Sequence, residues 1–438
     1  MLGIRAVLTL LLWVSLSVSA SELDELKTRA AQGNAEAQYN LAVMHKNGKN
    51  TLQDYQTAVK WYKAAAQQGD VRAQLALALM YDQGEGTPKD FKAAVKWLRA
   101  AAEQGHADAQ YFLGRMYYDG EGIPQDFEVA IKWLKASAEQ GHADAQYFLG
   151  TMYKHGIETP QDFKAAIKWL KAAAEQGHAD AQYFLGGIYQ LKGTQRDDKS
   201  AIKLYKAAAE QGHADAQFYL GLMRYRVLGA SMRSRAKGTK VRYEAAIWWL
   251  RKAAEQGHAD AQFYLGLIRH TQKGTLQSYK AAFKWYTAAA EQGHAKAKFN
   301  LGLIYWNGDG IPQDYGEAIR LYKAAAEQGM AEAQYNLGVI YRDGTGTPQS
   351  FKAAVKWLRA AAEQGHTRAQ VDLGVISAEG KGTPQDYKLA HMWYNLAAAS
   401  GHEKANHIRD MIAGVMTPAD IDIAQQMARE WMAAHPAQ

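Results

Sequence analysis

Apolar residues form two stripes with helical spacing in every stretch of about 36 residues. Residues 106–141 serve as the type repeat. Its first stripe passes through Leu113 and Met116, and its second passes through Ala130 and Leu134. The spacing predicts a pair of amphipathic helices in each repeat.

The boundaries of both helices can be read from the same repeat. The first is predicted from about Ala107 to Tyr118, where a segment rich in glycine and proline interrupts the pattern. Asp126 is predicted to cap the second helix, which runs to about Glu139. Gly141 then supplies the left-handed residue that ends it.

The pattern repeats at an almost fixed period along the chain. Successive glycine anchors lie 36 residues apart in eight of ten steps, with one step of 35 and one of 45. They are Gly33, Gly69, Gly105, Gly141, Gly177, Gly212, Gly257, Gly293, Gly329, Gly365 and Gly401. Such a period is typical of stacked repeats that bury their apolar faces against their neighbours. We therefore predict an all-α fold, a right-handed α/α superhelical solenoid of ten helix-turn-helix repeats over residues 34–401.

The two ends of the chain depart from the repeat. Residues 1–20 combine Arg5, a short apolar run and small residues before Ala20, which predicts a cleaved secretory signal peptide. An uncleaved anchor is the alternative. Residues 21–33 are predicted to form an N-terminal capping helix and residues 402–438 C-terminal capping helices.

Composition narrows the classes of function. The chain has no cysteine, which excludes disulfides and a thiol nucleophile. Its net charge is +7, and +6 without residues 1–20. This mild excess favours acidic polymers or anionic membrane surfaces as partners and does not indicate nucleic-acid binding.

The repeat resembles the Sel-one-like repeat family, a branch of the tetratricopeptide superfamily. The resemblance rests on the A-x-A-x-x-x-L-G opening, the G-x-G-x-P loop, the A-x-x-W slot and the terminal A-A-E-Q-G, all in register over residues 34–401. It implies a non-enzymatic adaptor that gathers other proteins, and exported bacterial members are tied to envelope assembly, signalling or host contact. One cysteine-rich branch is linked to penicillin binding, whereas this chain lacks cysteine.

Repeated polar residues raise two alternatives to a purely structural repeat. A histidine follows most anchors, as at His142 and His178, which could indicate metal binding. Residues one repeat apart lie too far from each other to share an ion, so a role at the helix start is favoured. No nucleophile elbow, zinc-protease helix or Walker loop is present. We therefore predict no enzyme activity, no metal and no cofactor.

The sixth repeat carries nine additional residues and a strongly basic segment. Arginine also replaces the usual tyrosine at Arg224 and at Arg269. We predict a cationic loop that docks an acidic partner or an anionic envelope polymer; a solvated loop without function is the alternative. The basic residues are Arg224, Arg226, Arg233, Arg235, Lys237, Lys240 and Arg242.

A second candidate site lies on the first helices of repeats six to eight. Three positions of each helix, predicted to line the concave face, become more apolar there than in the type repeat. We predict that they bind a protein or peptide partner; packing between repeats is the alternative. The residues are Phe218, Leu222, Tyr225, Phe263, Leu267, His270, Phe299, Leu303 and Trp306.

Together these features predict a periplasmic or secreted scaffold for protein–protein interactions, without nucleic-acid binding. Two alternatives remain open: an envelope enzyme of the penicillin-interacting type, and a polyanion-binding surface factor.

Overall fold

The computed structural model describes residues 20–49, 51–157, 161–192, 195–231, 239–271 and 276–435. Their regular secondary structure consists of 23 α-helices. The chain divides into two compact units, residues 1–211 with α1–α11 and residues 212–438 with α12–α23. In both units consecutive helices pack in pairs, so the prediction of an all-α solenoid of helix pairs is confirmed.

The helix boundaries repeat with the sequence. The first unit contains α1 Ala20–Ala31, α2 Ala35–Asn47, α3 Tyr55–Gln67, α4 Val71–Gln83, α5 Phe91–Glu103, α6 Ala107–Asp119, α7 Phe127–Glu139, α8 Ala143–His155, α9 Phe163–Glu175, α10 Ala179–Lys192 and α11 Gln195–Glu210. The second contains α12 Ala214–Ser231, α13 Thr239–Glu255, α14 Ala259–Thr271, α15 Leu276–Glu291, α16 Ala295–Asn307, α17 Tyr315–Ala326, α18 Ala331–Asp343, α19 Phe351–Glu363, α20 Thr367–Glu379, α21 Tyr387–Ala399, α22 Glu403–Ala413 and α23 Pro418–Ala434.

Small residues and caps hold each helix pair together. A β-carbon on Gly114 of α6 would lie 2.8 Å from Cγ of Leu134 in α7, so glycine allows the two helices to approach closely here. The connecting segment starts at Gly120, whose φ of 73° is left-handed. Oδ1 of Asp126 accepts a hydrogen bond from the backbone N–H of Val129 at 3.0 Å, and the predicted cap of the second helix is confirmed.

The core lies between paired helices and between consecutive repeats. Leu134 of α7 and Tyr286 of α15 occupy equivalent positions of two second helices, and both are fully buried. The A-x-x-W slot places a tryptophan immediately before this position, on the same apolar stripe of the second helix, and this spacing leads to the expectation of a buried side chain. Trp169, Trp249 and Trp393 are buried, but the other five tryptophans of the slot are only partly buried, and for these the expectation is wrong. These tryptophans lie at the edge of the core. Trp133, for example, packs against the outside of the cluster formed by α4, α5 and α6.

In most repeats a buried glutamine at the fourth position of the first helix bonds to the preceding repeat. Nε2 of Gln110 donates to the carbonyl oxygen of Ala102 in the preceding repeat at 3.1 Å. Its Oε1 accepts from Nε2 of Gln140, at the end of its own repeat, at 2.7 Å. We call this series of pairs the glutamine ladder. The same pairing joins Gln38 to Gln68, Gln74 to Gln104, Gln146 to Gln176, Gln182 to Gln211, Gln217 to Gln256, Gln262 to Gln292 and Gln334 to Gln364.

Two repeats alter the glutamine ladder. Lys298 occupies the buried-glutamine position of α16, and Gln328 donates to the backbone carbonyl of Ala324 at 3.1 Å. In the last repeat Ser400 replaces the second glutamine. Among the described residues, Oε1 of Gln370 is consequently buried without a hydrogen-bond partner.

The recurring histidines start the first helices. Nδ1 of His142 accepts from the backbone N–H of Ala145 at 3.2 Å, and its Nε2 lies 3.3 Å from Oδ1 of Asp108 in the preceding repeat. Because Nδ1 accepts, the ring proton of the neutral imidazole is on Nε2 and points to the aspartate. The predicted role at the helix start is confirmed at His142, His178, His213, His258, His294 and His366.

Helices also lie at both ends of the described chain. Helix α1 begins at Ala20, so residues 1–19 of the predicted signal peptide are outside the described residues. Thr417 caps the last helix, α23, and Ala424 and Ala428 are buried on it. Among the described helices, none combines the length and hydropathy needed to cross a bilayer.

The glutamine ladder should contribute measurably to stability. Gln110→Leu removes the donor to Ala102 and leaves the amide of Gln140 without its partner. We expect it to lower the free energy of unfolding by about 1–3 kcal/mol, measured by urea denaturation. Gln370→Leu is the matched control, because Gln370 has no partner at its Oε1. Equal losses from the two substitutions would contradict the role of the pair.

The pairs of histidine and aspartate should make stability depend on pH. Hydrogen bonds from His142 and His178 hold the pKa values of Asp108 and Asp144 below the usual range, although partial burial raises them. A depressed carboxyl pKa stabilises the fold above the unfolded-state value of about 4, and this contribution is lost as the pH falls through the folded-state pKa.

The double variant Asp108→Asn, Asp144→Asn tests this dependence. We expect it to be less stable than the parent protein at pH 6, with the difference narrowing towards pH 3. Thermal unfolding followed by circular dichroism measures both proteins across that range. If the difference in stability between the variant and the parent protein stays constant from pH 6 to pH 3, the ionisation of these two carboxylates does not stabilise the fold.

Candidate functional site

The first helices of repeats six to eight do not expose all of the predicted partner-binding residues. Phe218 and Phe263 are only 5% and 8% exposed, and their rings stack on His258 and His294 at 4.5 and 4.7 Å. Leu222 is 6% exposed. The prediction that these three side chains are accessible is wrong, because each phenylalanine ring packs on the histidine that starts the next first helix and Leu222 packs in the core cluster with Leu250.

The other six predicted residues are half-buried. They are Tyr225, Leu267, His270, Phe299, Leu303 and Trp306. Four of their rings lie against tyrosines of a second helix: Tyr225 on Tyr243 at 6.3 Å, His270 on Tyr279 at 5.8 Å, Trp306 on Tyr315 at 4.6 Å and Phe299 on Tyr322 at 5.6 Å. One side of each residue is therefore fixed by packing and the rest remains accessible. We call these six residues the first-helix face.

Two positions of this face hold an arginine in another repeat. The position of Leu267 and Leu303 carries Arg115 in α6, where it pairs with Asp119 at 3.1 Å, although α18 keeps an apolar Val339 there. The position of Trp306 carries Arg342 in α18, where Nη1 lies 2.9 Å from Oδ2 of Asp372. In α16 both positions are apolar, with leucine at one and tryptophan at the other.

The basic segment of the sixth repeat is organised differently from the prediction. Helices α12 and α13 have 18 and 17 residues, whereas most helices of the repeats have 13. The additional length accounts for all nine inserted residues, so the prediction of one long loop is wrong. Arg224 is half-buried on α12. Arg226, Lys240 and Arg242 also belong to these helices, but their side chains lie outside the described part of the chain, as do Arg233, Arg235 and Lys237 entirely.

Titratable groups were also considered as a source of catalytic chemistry. Burial raises the pKa of Asp372, and the nearby Arg342 opposes that shift. This pair connects consecutive first helices and resembles other ion pairs of the stack. In the described ranges, no group of three histidine, aspartate or glutamate side chains is arranged to hold a metal ion.

Comparisons with known proteins place this geometry in a family. The model of the Sel1 repeat matches residues 35–70, 71–106, 107–142, 143–178, 179–213, 214–258, 259–294, 295–330, 331–366 and 367–402. No curated protein sequence matches the chain.

Solved structures give the same result. A protective antigen present in uropathogenic Escherichia coli strains, which displays an SLR fold, is 33% identical, with a TM-score of 0.82 over 94% of this chain and 87% of that one. A Sel1 repeat protein from Oxalobacter formigenes is 30% identical over 53% of this chain and 99% of that one, with a TM-score of 0.44. The chain belongs to the Sel1 repeat family, whose members are generally scaffolds for protein interactions and are typically not enzymes.

Proposed function

We propose that this protein is a scaffold of the cell envelope or the host interface that binds a protein partner through the first-helix face. The observation that carries the proposal is the run of half-buried apolar and aromatic side chains on α14 and α16, two of whose positions hold a paired arginine in α6 or in α18. Apolar patches with some aromatic content are typical of partner sites on soluble proteins.

Location outside the cytoplasm is part of the same proposal. It is supported by the signal-peptide pattern of residues 1–20 and by the absence of cysteine, which makes the chain independent of disulfide formation. Similarity to a protein described as a protective antigen present in uropathogenic strains also supports it.

A photoreactive phenylalanine analogue in place of Trp306 should crosslink the partner in the native compartment, where mass spectrometry identifies it. Leu303→Arg should then weaken binding of that purified partner by at least about tenfold, because it places a charge within the apolar contact. The fold should tolerate this change, since Arg115 occupies the same position of α6.

Val339→Arg is the matched control, since it makes the same kind of change at the same position one repeat later, on α18. Circular dichroism should show both variants folded. If Leu303→Arg and Val339→Arg weaken binding equally, or if neither does, the first-helix face is not the binding surface.

The basic segment supports a second candidate, the binding of an anionic envelope polymer. Neutralising Arg233, Arg235 and Lys237 with glutamine should weaken binding to purified lipopolysaccharide and reduce its dependence on salt. The control variant replaces Lys60, Lys132 and Lys352, three exposed lysines elsewhere, so the net charge changes equally. If both variants bind lipopolysaccharide equally, net charge and not the basic segment determines the binding, and this second candidate is contradicted.

A further inference from the structure

Two arginines occupy positions of one repeat boundary where several other boundaries combine an arginine or lysine with a tyrosine. In the regular arrangement, Nη2 of Arg99 in α5 donates to the hydroxyl of Tyr117 in α6 at 2.6 Å. Arg251 occupies the position of Arg99 in α13, and Arg269 occupies the position of Tyr117 in α14. A phenol that accepts a hydrogen bond is thus replaced by a second guanidinium, which can only donate.

These two arginines line a cavity. It has a volume of about 370 Å³ and lies between α13, α14 and α15. Arg251, Arg269, Gln277 and Ser278 supply its polar lining, and Ala281 and Trp285 supply an apolar part. None of these six described lining residues is acidic. The donors are therefore suited to an oxyanion, and the apolar part is suited to the carbon atoms attached to it.

An exposed tryptophan lies one turn from the cavity. Trp248 precedes Arg251 by three residues on α13, so both are on one side of that helix. It is 50% exposed and packs edge-on against Trp249 at 4.4 Å. Its position in other second helices carries a lysine over the neighbouring tryptophan, for example Lys168 over Trp169 at 4.6 Å. This repeat has therefore replaced a solvated cation by a large exposed aromatic side chain.

We propose that Arg251, Arg269 and Trp248 form a docking site for an acidic peptide segment of a partner protein, with a carboxylate seated between the two arginines. The volume of the cavity exceeds what a bare anion needs, and Trp248 extends the surface beyond it. Arginine and tryptophan are enriched among residues that dominate binding energies. The net charge of +7 also favours an acidic partner.

This site goes beyond the proposed function, because it uses no residue of the first-helix face. Its variants therefore test it separately. The inference would survive if Leu303→Arg left partner binding unchanged, and it can fail while the first-helix face is confirmed.

Isothermal titration calorimetry of the full chain with a peptide of alternating glutamate and leucine tests the site. Arg269→Tyr restores the residue found at the same position of the next repeat, Tyr305, and should weaken binding about tenfold or more. Arg251→Gln should have a similar effect. Trp248→Ala should weaken binding about fivefold or more.

Arg99→Gln is the matched control, because it removes the arginine at the same position where a tyrosine is its neighbour. It should leave peptide binding unchanged. Inorganic phosphate and the same peptide with glutamine in place of glutamate complete the comparison. The proposal is overturned if the glutamine peptide binds as well, if only phosphate binds, or if Arg99→Gln weakens binding as much as Arg269→Tyr.

Discussion

The hydrogen bond from the buried glutamine to the end of the preceding helix is the constraint on which the stack depends. In the last turn of α5, Ala102 is buried although the residues that follow it are exposed, and its carbonyl oxygen accepts hydrogen bonds from the protein. Gln110 reaches Ala102 across the repeat boundary and is itself held by Gln140. A side chain with both a donor and an acceptor is required here, which explains why most repeats keep glutamine at both positions.

Other contacts between consecutive repeats recur with the same period of about 36 residues. His142 caps its own helix, stacks on Tyr111 and lies against Asp108 of the preceding repeat. With glutamine, histidine and glycine serving the stack, few positions per repeat are free to vary. Differences in function between repeats must therefore appear at the partly exposed positions, which is where Leu303, Trp306 and Trp248 are found.

Much of this fold could be predicted from sequence because local and long-range signals agree. The helix predicted from Ala107 to Tyr118 extends from Ala107 to Asp119, and Asp126 caps the next one as expected. The accessibility of Phe218 and Phe263 was not predictable in the same way. Helical spacing gives the direction of a side chain on its own helix but does not reveal that the histidine of the following repeat covers it.

The site at Arg251 shows what kind of sequence signal was missed. Arg269 stands out in the sequence because it replaces the usual tyrosine, but Arg251 has the same residue type as Arg99 and gives no signal by itself. The site appears only when the two positions at a repeat boundary are compared as pairs, because the pair of Arg99 and Tyr117 then becomes Arg251 and Arg269. Two guanidinium groups that line one cavity favour an anionic ligand, and a carboxylate between them could accept hydrogen bonds from both.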